Sequence, residues 1–494
     1  MPILIKTGPS IKMLRTRVYK SILQWSSRDV QFMLGSSSTT RHLNQTSNQK
    51  SSSIVQAEND GPVLLDFENS RPFRQQTMKQ LMRSWTILKL CSHNFIVDNA
   101  EKFFLLGRRV VPSSLFQRIM ASTFYGHFTA GSDAQSSKPT IHALHEAGIK
   151  TMLMIPIENV FEDAKEKEKA FADNFQSILG CVEMIAELEP RGFSQLKITS
   201  LEDIKLYKEL NRHLIDFETD HKEPGDWDIG KVASLVKEKK FQELTFSDLS
   251  EADSKSFQTL LQRVDAICQA GQEKDIHVMI DAEQTYIQAA LGYIILVMQA
   301  VYNQNKCSVF NTYQCYRKDT LDKVKADQAL GERLSFKIAG KFVRGAYMIE
   351  ERALAKKNGA EDPINQSYEK TGEMYHACVD YVLPKIKKKD AFFMFATHNE
   401  ESVEYVTKQL TIHDIDIQEE NYCFGQIYGM CDHVSFTLGR YGYRIFKSVP
   451  VGTIDDTLLY LTRRAMENKS VLWRTKKERL IILEELKQRG KGNR

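Results

Sequence analysis

The chain has 494 residues, of which 42% are hydrophobic, and its formal net charge is +4 at pH 7. That hydrophobic fraction is ordinary for a globular protein, so the length allows one large domain with appendages or two to three smaller domains. Because this net charge is small for a chain of this length, the composition gives no general argument for nucleic-acid binding.

The first 57 residues differ in composition from the rest of the chain. Basic residues and serine are frequent there, and Asp29 is the only acidic residue before Glu58. A basic, serine-rich and acid-poor start predicts a mitochondrial transit peptide, although a disordered tail has a similar composition. We therefore assign residues 1–57 to a transit peptide or disordered segment.

Helical patterns flank the central part of the chain. Residues 58–130 carry helical apolar spacing, as at Leu81 and Trp85, and are predicted to form a helical arm. Residues 473–494 are basic and are predicted to form a C-terminal helix that packs outside the main domain.

Between these flanks, short apolar runs alternate with helical patterns. Eight strand–helix units over residues 131–472 predict an α/β fold, a (β/α)8 TIM-type barrel. The predicted strands are residues 151–157, 194–199, 277–282, 307–314, 336–346, 392–397, 421–426 and 443–449. The apolar run at residues 287–301 contains Gln288 and Gln299, so we interpret it as a buried helix rather than a membrane span.

Polar residues mark the ends of most predicted strands, where a barrel of this kind collects its chemistry. A barrel interior normally takes branched apolar residues, so cations and amides at several strand ends indicate a charged, polar ligand. Each residue alone also has a structural explanation, such as a helix N-cap at Asp281 or a core histidine at His398. The strand-end residues are Lys197, Asp281, Asn311, Gln314, Lys341, Arg344, Thr397, His398, Asn399 and Gln426.

The helix after the last strand is predicted to lie over the barrel mouth. Thr453 suits its N-cap. One face of this helix carries Tyr460, Arg463, Arg464 and Glu467 at three- and four-residue spacing. Two adjacent arginines can grip both oxygens of a small carboxylate. A solvated, salt-bridged surface helix is the alternative interpretation of the same spacing.

Cysteine and histidine spacing gives no support for a metal site. The eight cysteines form no Cys-x-x-Cys pair and mostly lie in apolar runs, which is typical of reduced, buried thiols in an intracellular protein. His142 and His145 are three residues apart without a third ligand nearby, so we interpret them as solvated helix residues.

Five runs of sequence in the barrel region resemble the proline dehydrogenase family of flavoenzymes. The match proceeds in order from about residue 66 to the C-terminus. The runs are residues 342–347 (FVRGAY, followed by Glu351 and Arg352), 362–365 (DPIN), 395–399 (FATHN), 428–430 (YGM) and 460–468 (YLTRRAMEN).

The resemblance implies a barrel that holds noncovalent FAD across its C-terminal mouth. The expected reaction is oxidation of a cyclic imino acid, L-proline or trans-4-hydroxy-L-proline, to a 1-pyrroline-5-carboxylate. A hydride would leave the substrate C5 carbon for flavin N5, and the electrons would pass to a membrane quinone. A mitochondrial matrix enzyme associated with the inner membrane is therefore expected.

The resemblance also implies roles for individual residues. The catalytic set would be Lys197, Asp281, Tyr460, Arg463, Arg464 and Glu467. Within it, Lys197 and the two arginines would pair with the substrate carboxylate, and Glu467 would fix one arginine. The FAD contacts would come from Asn311, Gln314, Lys341, Val343, Arg344, Gly345, Ala346, Thr397, His398, Asn399 and Gln426.

Ser448 is expected to decide which imino acid is used. In members of this family devoted to proline, the residue two before the proline of the last strand is usually Tyr, whose ring would close over substrate C4. Serine removes that bulk and offers a short donor and acceptor to a hydroxyl group. The run MCDH at residues 430–433 also resembles the hydroxyproline branch. We therefore expect trans-4-hydroxy-L-proline to be accepted well, and the alternative is a proline enzyme with a drifted pocket.

Two other classes of function remain as alternatives. A catalytically inactive flavin barrel could act as a binding or regulatory protein, although a decayed site would be expected to have lost one of Lys197, Asp281, Arg463 and Arg464. A nucleic-acid-binding protein would depend on the basic termini alone, and salt-dependent DNA binding would test it. We expect no nucleic-acid partner.

Overall fold

The computed structural model describes residues 65–156, 164–215, 225–470 and 472–492. The predicted transit peptide, residues 1–57, lies outside the described residues. The long insertion between the second and third strands is described only in part.

Eight parallel strands of the described chain close into a barrel in sequence order, with β1 paired to both β2 and β8. The strands are β1 Ile149–Met154, β2 Phe193–Leu196, β3 His277–Ile280, β4 Val309–Gln314, β5 Ile338–Val343, β6 Ala391–Ala396, β7 Tyr422–Ile427 and β8 Ile445–Pro450. The predicted TIM-type barrel is confirmed. Its strands read as nearly continuous apolar runs because parallel strands covered by helices are buried on both faces.

Aromatic rings close the barrel interior at the N-terminal ends of the strands. The ring of Phe193 lies 5.1 Å from Phe310 and 5.0 Å from Phe446, and Phe310 lies 4.9 Å from Phe392, all edge to face. Such arrangements are favoured by the ring quadrupoles. The interior is therefore a packed core at this end, and polar side chains are left to the opposite, C-terminal mouth.

Helices precede the barrel, alternate with its strands and follow it. Those before β1 are α1 Met78–Cys91, α2 Asn94–Asp98, α3 Ala100–Val110, α4 Ser113–Ser122, α5 Phe124–Phe128 and α6 Ala134–Glu146. Those between strands are α7 Ala164–Leu188, α8 Ile204–His213, α9 Ile229–Lys237, α10 Glu251–Glu273, α11 Thr285–Tyr302, α12 Thr320–Leu334, α13 Met348–Asn358, α14 Tyr368–Lys387, α15 Glu400–Ile412 and α16 Asp432–Arg440. After β8 come α17 Ile454–Ser470 and α18 Leu472–Gly492.

The helix α11 is the one described helix that is long and apolar enough to cross a membrane. Of its 18 residues, 78% are buried inside the protein, and Leu291, Ile294 and Ile295 are fully buried. It packs against β4 and the neighbouring helices α8 and α9. The interpretation of residues 287–301 as a buried helix is confirmed.

The C-terminal helix α18 packs against the start of the described chain. Ile481 and Ile482 share an apolar cluster with Phe73, Leu81 and Leu88. The guanidinium of Arg489 also donates to backbone carbonyl groups of the 3-10 turn Arg71–Gln75 and of the residue after it, at 2.7–3.1 Å. The two ends of the described chain therefore hold each other outside the barrel.

Candidate active site

Opposite charges are paired at the C-terminal mouth of the barrel. Nζ of Lys341, on the inward face of β5, lies 2.7 Å from Oδ1 of Asp281, which follows β3. The Lys341 side chain is only 7% exposed. A buried ion pair is weak evidence for stability because desolvation offsets most of its attraction. This pair therefore places a buried cation and a carboxylate at the mouth of the barrel.

Lys197 lies at the same mouth, directly before the short 3-10 turn that follows β2. Burial lowers the pKa of its ammonium group, but the net shift is upward because Tyr347, Glu283 and Asp281 lie around it. Lys197 thus stays charged and can hold an anion. Together with Asp281 and Arg463 it lines a pocket with an empty volume of about 500 Å³.

Tyr347 occupies a strained backbone position beside this pocket. It precedes α13 with φ +46° and ψ 6°, in the left-handed region that non-glycine residues seldom adopt. Such a conformation costs about 1–3 kcal/mol and is concentrated at active sites and ligand clamps. Burial raises the pKa of its phenol, so Tyr347 stays a neutral hydrogen-bond donor.

The helix α17, which carries the two arginines predicted to clamp a carboxylate, begins with a reciprocal cap. Oγ1 of Thr453 accepts a hydrogen bond from the backbone N–H of Asp456, and the Asp456 carboxylate accepts one from the backbone N–H of Thr453, both at 3.3 Å. Each bond satisfies a donor that a helix start otherwise leaves without a partner. This fixes the start of α17 directly after β8.

Further along α17, Tyr460 and Arg464 are stacked. The guanidinium carbon of Arg464 lies 4.8 Å from the centroid of the Tyr460 ring, and its Nη2 donates to Oε1 of Glu467 at 2.5 Å. Glu467 therefore holds Arg464 as the resemblance implies. Tyr460 is 3% exposed, and its buried Oη has no hydrogen-bond partner in the described part of the chain. Burial raises the pKa of this phenol to about 12.

Ser448 faces the barrel interior from β8. Its Oγ donates to Oε1 of Gln195 on β2 and lies 3.7 Å from Sδ of Met154. Because a hydroxyl carries two acceptor lone pairs besides its proton, Ser448 can still accept a hydrogen bond from a substrate hydroxyl. Ser448 and Gln195 thus form a small polar group at the mouth.

The ends of β6 and β7 hold another group of predicted residues. Nε2 of His398 accepts the backbone N–H of Ile427 at 3.1 Å, so the neutral ring carries its proton on Nδ1. Asn399 caps α15 through the backbone N–H of Ser402 at 2.7 Å. Nε2 of Gln426 donates to the carbonyl of Thr397 at 3.0 Å, and its Oε1 accepts a hydrogen bond from Oγ of Ser435 on α16. Because side chains alternate along β7, Gln426 points outward, and the structure does not bring it to the mouth, contrary to expectation. These side chains therefore brace the two strand ends against each other.

The structure does not bring Asn311 to the mouth. Side chains alternate along β4, so Asn311 and Tyr313 point outward, and both donate to Asp327 on α12, at 3.4 and 2.7 Å. The inward residues of β4 are Thr312 and Gln314, and Nε2 of Gln314 donates to the carbonyl of Glu283 at 2.9 Å. This placement supports a ligand contact for Gln314 but not for Asn311.

The backbone directly after β5 is open. Gly345 and Ala346 are exposed, and a Cβ added at Gly345 would meet only Met348 Sδ, at 3.7 Å. Val343, the last residue of β5, is half-buried on the inward face. Arg344 points away instead, stacking 4.8 Å above the Tyr368 ring. A flat ligand can therefore approach the main chain closely here.

Three further residues join the site, although no role was predicted for them from the sequence. Gln195 lies two residues before Lys197, and Glu283 lies two residues after Asp281, so a period of two along each chain segment could have identified them. Tyr347 ends the motif FVRGAY, but its approach to Lys197 depends on the left-handed turn. Among the described residues, no group of three or more His, Cys, Asp or Glu side chains could hold a metal ion.

Solved structures with this fold include bacterial proline utilization A proteins. The protein from Bdellovibrio bacteriovorus, inactivated by N-propargylglycine, matches with a TM-score of 0.55 at 18% identity over 81% of this chain. A Bradyrhizobium japonicum protein matches with a TM-score of 0.52 at 16% identity over 85% of this chain. The chain spans only 38% and 43% of those two proteins, and at this identity the likeness shows the fold alone.

Sequence relatives extend over most of the chain. Hydroxyproline dehydrogenase of Xenopus laevis is 35% identical, with 86% of this chain and 90% of the relative covered. Proline dehydrogenase 1, mitochondrial, of Homo sapiens is 29% identical, with 87% and 90% covered. The family model for proline dehydrogenase matches residues 137–477, which include every strand of the barrel and all of α17. The chain therefore belongs to the proline dehydrogenase family.

Proposed function

We propose that this protein is an FAD-dependent dehydrogenase that oxidises a cyclic imino acid, L-proline or trans-4-hydroxy-L-proline, to the corresponding 1-pyrroline-5-carboxylate. The observation that carries the proposal is the pocket lined by Lys197, Asp281 and Arg463 at the barrel mouth. Two cations and a carboxylate in one small pocket suit a zwitterionic amino acid. The names of the relatives support the same reaction.

The substrate carboxylate would be held by Lys197, Arg463 and Arg464. Arginine offers a planar fork that matches both carboxylate oxygens, and Glu467 holds Arg464 in a fixed direction. Fixing the carboxylate orients the whole five-membered ring, because that ring has few internal rotations. Orientation of this kind lowers the barrier by removing rotational freedom before the reaction.

The residues at the mouth fit FAD. The open backbone at Gly345 and Ala346 allows a flat ring to lie close, and Lys341 provides a cation where negative charge develops on a reduced flavin. The buried Oη of Tyr460, which has no partner in the described part of the chain, is available for a hydrogen bond to a ligand. Gln314, Val343 and the group Thr397, His398 and Asn399 lie at the neighbouring strand ends.

Bound FAD would supply the oxidant for removal of a hydride from substrate C5, and the two electrons would pass on to a quinone. The bound zwitterion would first lose one proton from its nitrogen to solvent, because the nitrogen lone pair forms the C=N bond as the C5–H bond breaks. Asp281 keeps the Lys341 ammonium in place at 2.7 Å. Tyr347 and Tyr460 would limit the entry of water to the bound substrate.

The substrate preference is proposed to lie with Ser448. Its hydroxyl, already bonded to Gln195, provides room and an acceptor for the hydroxyl on C4 of trans-4-hydroxy-L-proline. Proline should also react, because unfilled space discriminates little between substrates.

The proposed location is the mitochondrial matrix, with peripheral association to the inner membrane and a membrane quinone as electron acceptor. Two observations support the mitochondrial address: the basic, acid-poor composition of residues 1–57, and the mitochondrial proteins among the relatives.

The proposal is tested with the purified protein. Its visible spectrum should show a flavin, which should bleach when proline or trans-4-hydroxy-L-proline is added without oxygen and recover when a soluble quinone follows. Well-folded protein without flavin would overturn the proposal. Bound flavin that neither substrate reduces would favour the inactive, regulatory barrel.

A further inference from the structure

The helical arm carries several large apolar side chains that stay exposed to solvent although other side chains of the same helices are buried. Large apolar side chains on three consecutive helices, α2, α3 and α4, are between 45% and 65% exposed. Scattered single residues of this kind are normal, whereas several exposed on consecutive helices mark a candidate interaction surface. We call this group the arm patch: Phe95, Leu105, Leu106, Val110, Leu115 and Ile119.

The arm patch is separate from the face by which the same helices join the core. Phe104 of α3 and Phe116 and Met120 of α4 are buried in a cluster with residues of α17. A Cβ added at Gly107 would lie 3.2 Å from the Phe116 ring, so α3 and α4 are packed closely. Both helices therefore carry a second apolar face that the fold does not use.

Basic side chains lie among the apolar ones. Lys102, Arg109 and Arg118 are exposed, and on α3 Lys102 and Arg109 share a face with Leu105 and Leu106 by helical spacing. Over residues 100–122 there are four basic residues, and Glu101 is the only acidic one. The patch thus combines apolar anchors with positive charge, which complements a negatively charged, apolar layer.

We propose that the arm patch is the surface by which this protein binds an anionic phospholipid bilayer. Leu, Val and Phe side chains would enter the headgroup boundary, while Lys and Arg would extend to the lipid phosphates, as in interfacial amphipathic helices. A protein partner fits less well, because lysine is depleted at protein interfaces and Lys102 shares the exposed face of α3 with Leu105 and Leu106. Here the charges stand between the apolar anchors.

The arm patch adjoins the helix that carries the substrate clamp. Nη2 of Arg108 lies 3.2 Å from Oδ2 of Asp455 in the first turn of α17. The outer face of α17 also exposes Leu459 and Met466, at 44% and 49%. A bilayer on the arm patch would therefore lie beside the catalytic mouth, where a lipid-soluble electron acceptor can arrive.

This inference extends the proposed membrane association by naming its surface, and its benefit to catalysis depends on the proposed function. Vesicle binding, however, is measured without substrate or turnover. A failure of imino-acid oxidation and a failure of membrane binding are therefore separate results.

The test is co-sedimentation of the full chain with vesicles of phosphatidylcholine alone and of phosphatidylcholine mixed with phosphatidylglycerol. The apolar variant is Leu106→Ser with Leu115→Ser. Its matched control is Ile412→Ser with Leu480→Ser, two apolar residues on α15 and α18 that are at least as exposed as Leu106 and Leu115. All variants keep the basic N-terminus, so differences between them report the patch.

We expect the apolar variant to bind the mixed vesicles at least about tenfold more weakly, since each leucine loses a large apolar burial. The control should bind like the original protein. Arg109→Gln with Arg118→Gln should weaken binding to the mixed vesicles by roughly fivefold per charge, with little change on the neutral ones. The apolar variant should keep its turnover with a water-soluble quinone.

Three results would overturn the proposal. The first is a full chain that does not bind mixed vesicles. The second is equal binding by the apolar variant and its control. The third is a lower oligomeric mass of the apolar variant by light scattering, without vesicles, which would assign the patch to contact between copies of the chain.

Discussion

The guanidinium groups of Arg463 and Arg464 act from neighbouring positions but in different surroundings. Arg463 lines the pocket with Lys197 and Asp281, whereas Arg464 is held by Glu467 over the Tyr460 ring. Replacing either by Met should weaken substrate binding by about 2–5 kcal/mol, because one partner of a desolvated carboxylate is lost. Steady-state kinetics should show a raised KM, and the absorbance spectrum should show unchanged flavin content.

A matched control for the clamp is Arg440→Met, which removes an exposed arginine at the end of α16. This variant should keep the original KM. If both clamp variants also kept it, the assignment of Arg463 and Arg464 to the carboxylate would be wrong.

Variants at Ser448 can separate two physical causes of substrate preference, namely free space in the pocket and a hydrogen bond to the substrate hydroxyl. Ser448→Tyr fills the space beside Gln195 and should lower kcat/KM for trans-4-hydroxy-L-proline far more than for proline. Ser448→Ala keeps the space but removes the hydroxyl, and should cost hydroxyproline about 0.5–1.5 kcal/mol with little effect on proline. Parallel assays on both substrates measure the ratio. Equal losses on both substrates would remove Ser448 as the selecting residue.

At the scale of elements, His127 joins the helical arm to the barrel. It lies on α5, 4% exposed, with Nε2 2.9 Å from the carbonyl of Gly429 and Nδ1 3.4 Å from Oγ of Ser84. Burial lowers the pKa of its imidazole to about 4, which favours the neutral ring. The junction therefore requires an uncharged histidine.

This junction predicts a pH dependence of stability. In the unfolded chain His127 takes up a proton near its ordinary pKa of about 6.5, whereas in the folded protein it does so only near pH 4. The unfolding free energy therefore falls as the pH drops between these two values. The slope for this one group is about 1.4 kcal/mol per pH unit. Urea unfolding at about pH 7 and about pH 5 should show a smaller loss for His127→Gln than for the original protein.

The exposed His142 on α6 provides the control for that experiment. His142→Gln leaves the buried junction intact and should retain the original pH dependence. If His127→Gln also retained it, the junction would not be the source of the sensitivity.

The elements were predictable because their pattern is local. All eight predicted strands match observed ones, with ends within three residues. The predicted second strand ran on to Thr199 because the apolar Ile198 continues the run, yet the chain already turns into a 3-10 helix there. Local periodicity identifies an element more reliably than its last residue.

The site was predictable only in outline. Which strands end in charges can be read from the chain, but the outward direction of Asn311 depends on which face of β4 meets the interior. The contact between Ser448 and Gln195 joins β8 to β2, which are not neighbours in the sheet. The left-handed backbone of Tyr347 has no glycine or asparagine to signal it. Each of these depends on barrel closure rather than on local sequence.

At the scale of the whole molecule, the predicted end of the transit peptide at residue 57 can be compared with the first buried residues of the described chain. Leu65 and Phe67, near the start of the described chain, are 6% and 3% exposed and belong to the main apolar core with Ile149 of β1. Residues from 65 onward thus contribute to the folded barrel. Residues 1–57 are proposed to serve delivery alone.

Two truncations separate these roles. A chain starting at residue 58 should keep the turnover and unfolding free energy of the full chain, because both buried anchors remain. A chain starting at residue 69 loses Leu65 and Phe67, each of which buries an apolar side chain worth roughly 1.5–3 kcal/mol, so its urea midpoint should fall clearly. In cells, the fusion of residues 1–57 to a fluorescent protein should enter mitochondria, whereas the chain starting at residue 58 should remain outside them. If the chain starting at residue 58 still reached the matrix, the transit-peptide assignment would be wrong. If that same chain lost turnover, part of the enzyme would lie within residues 1–57.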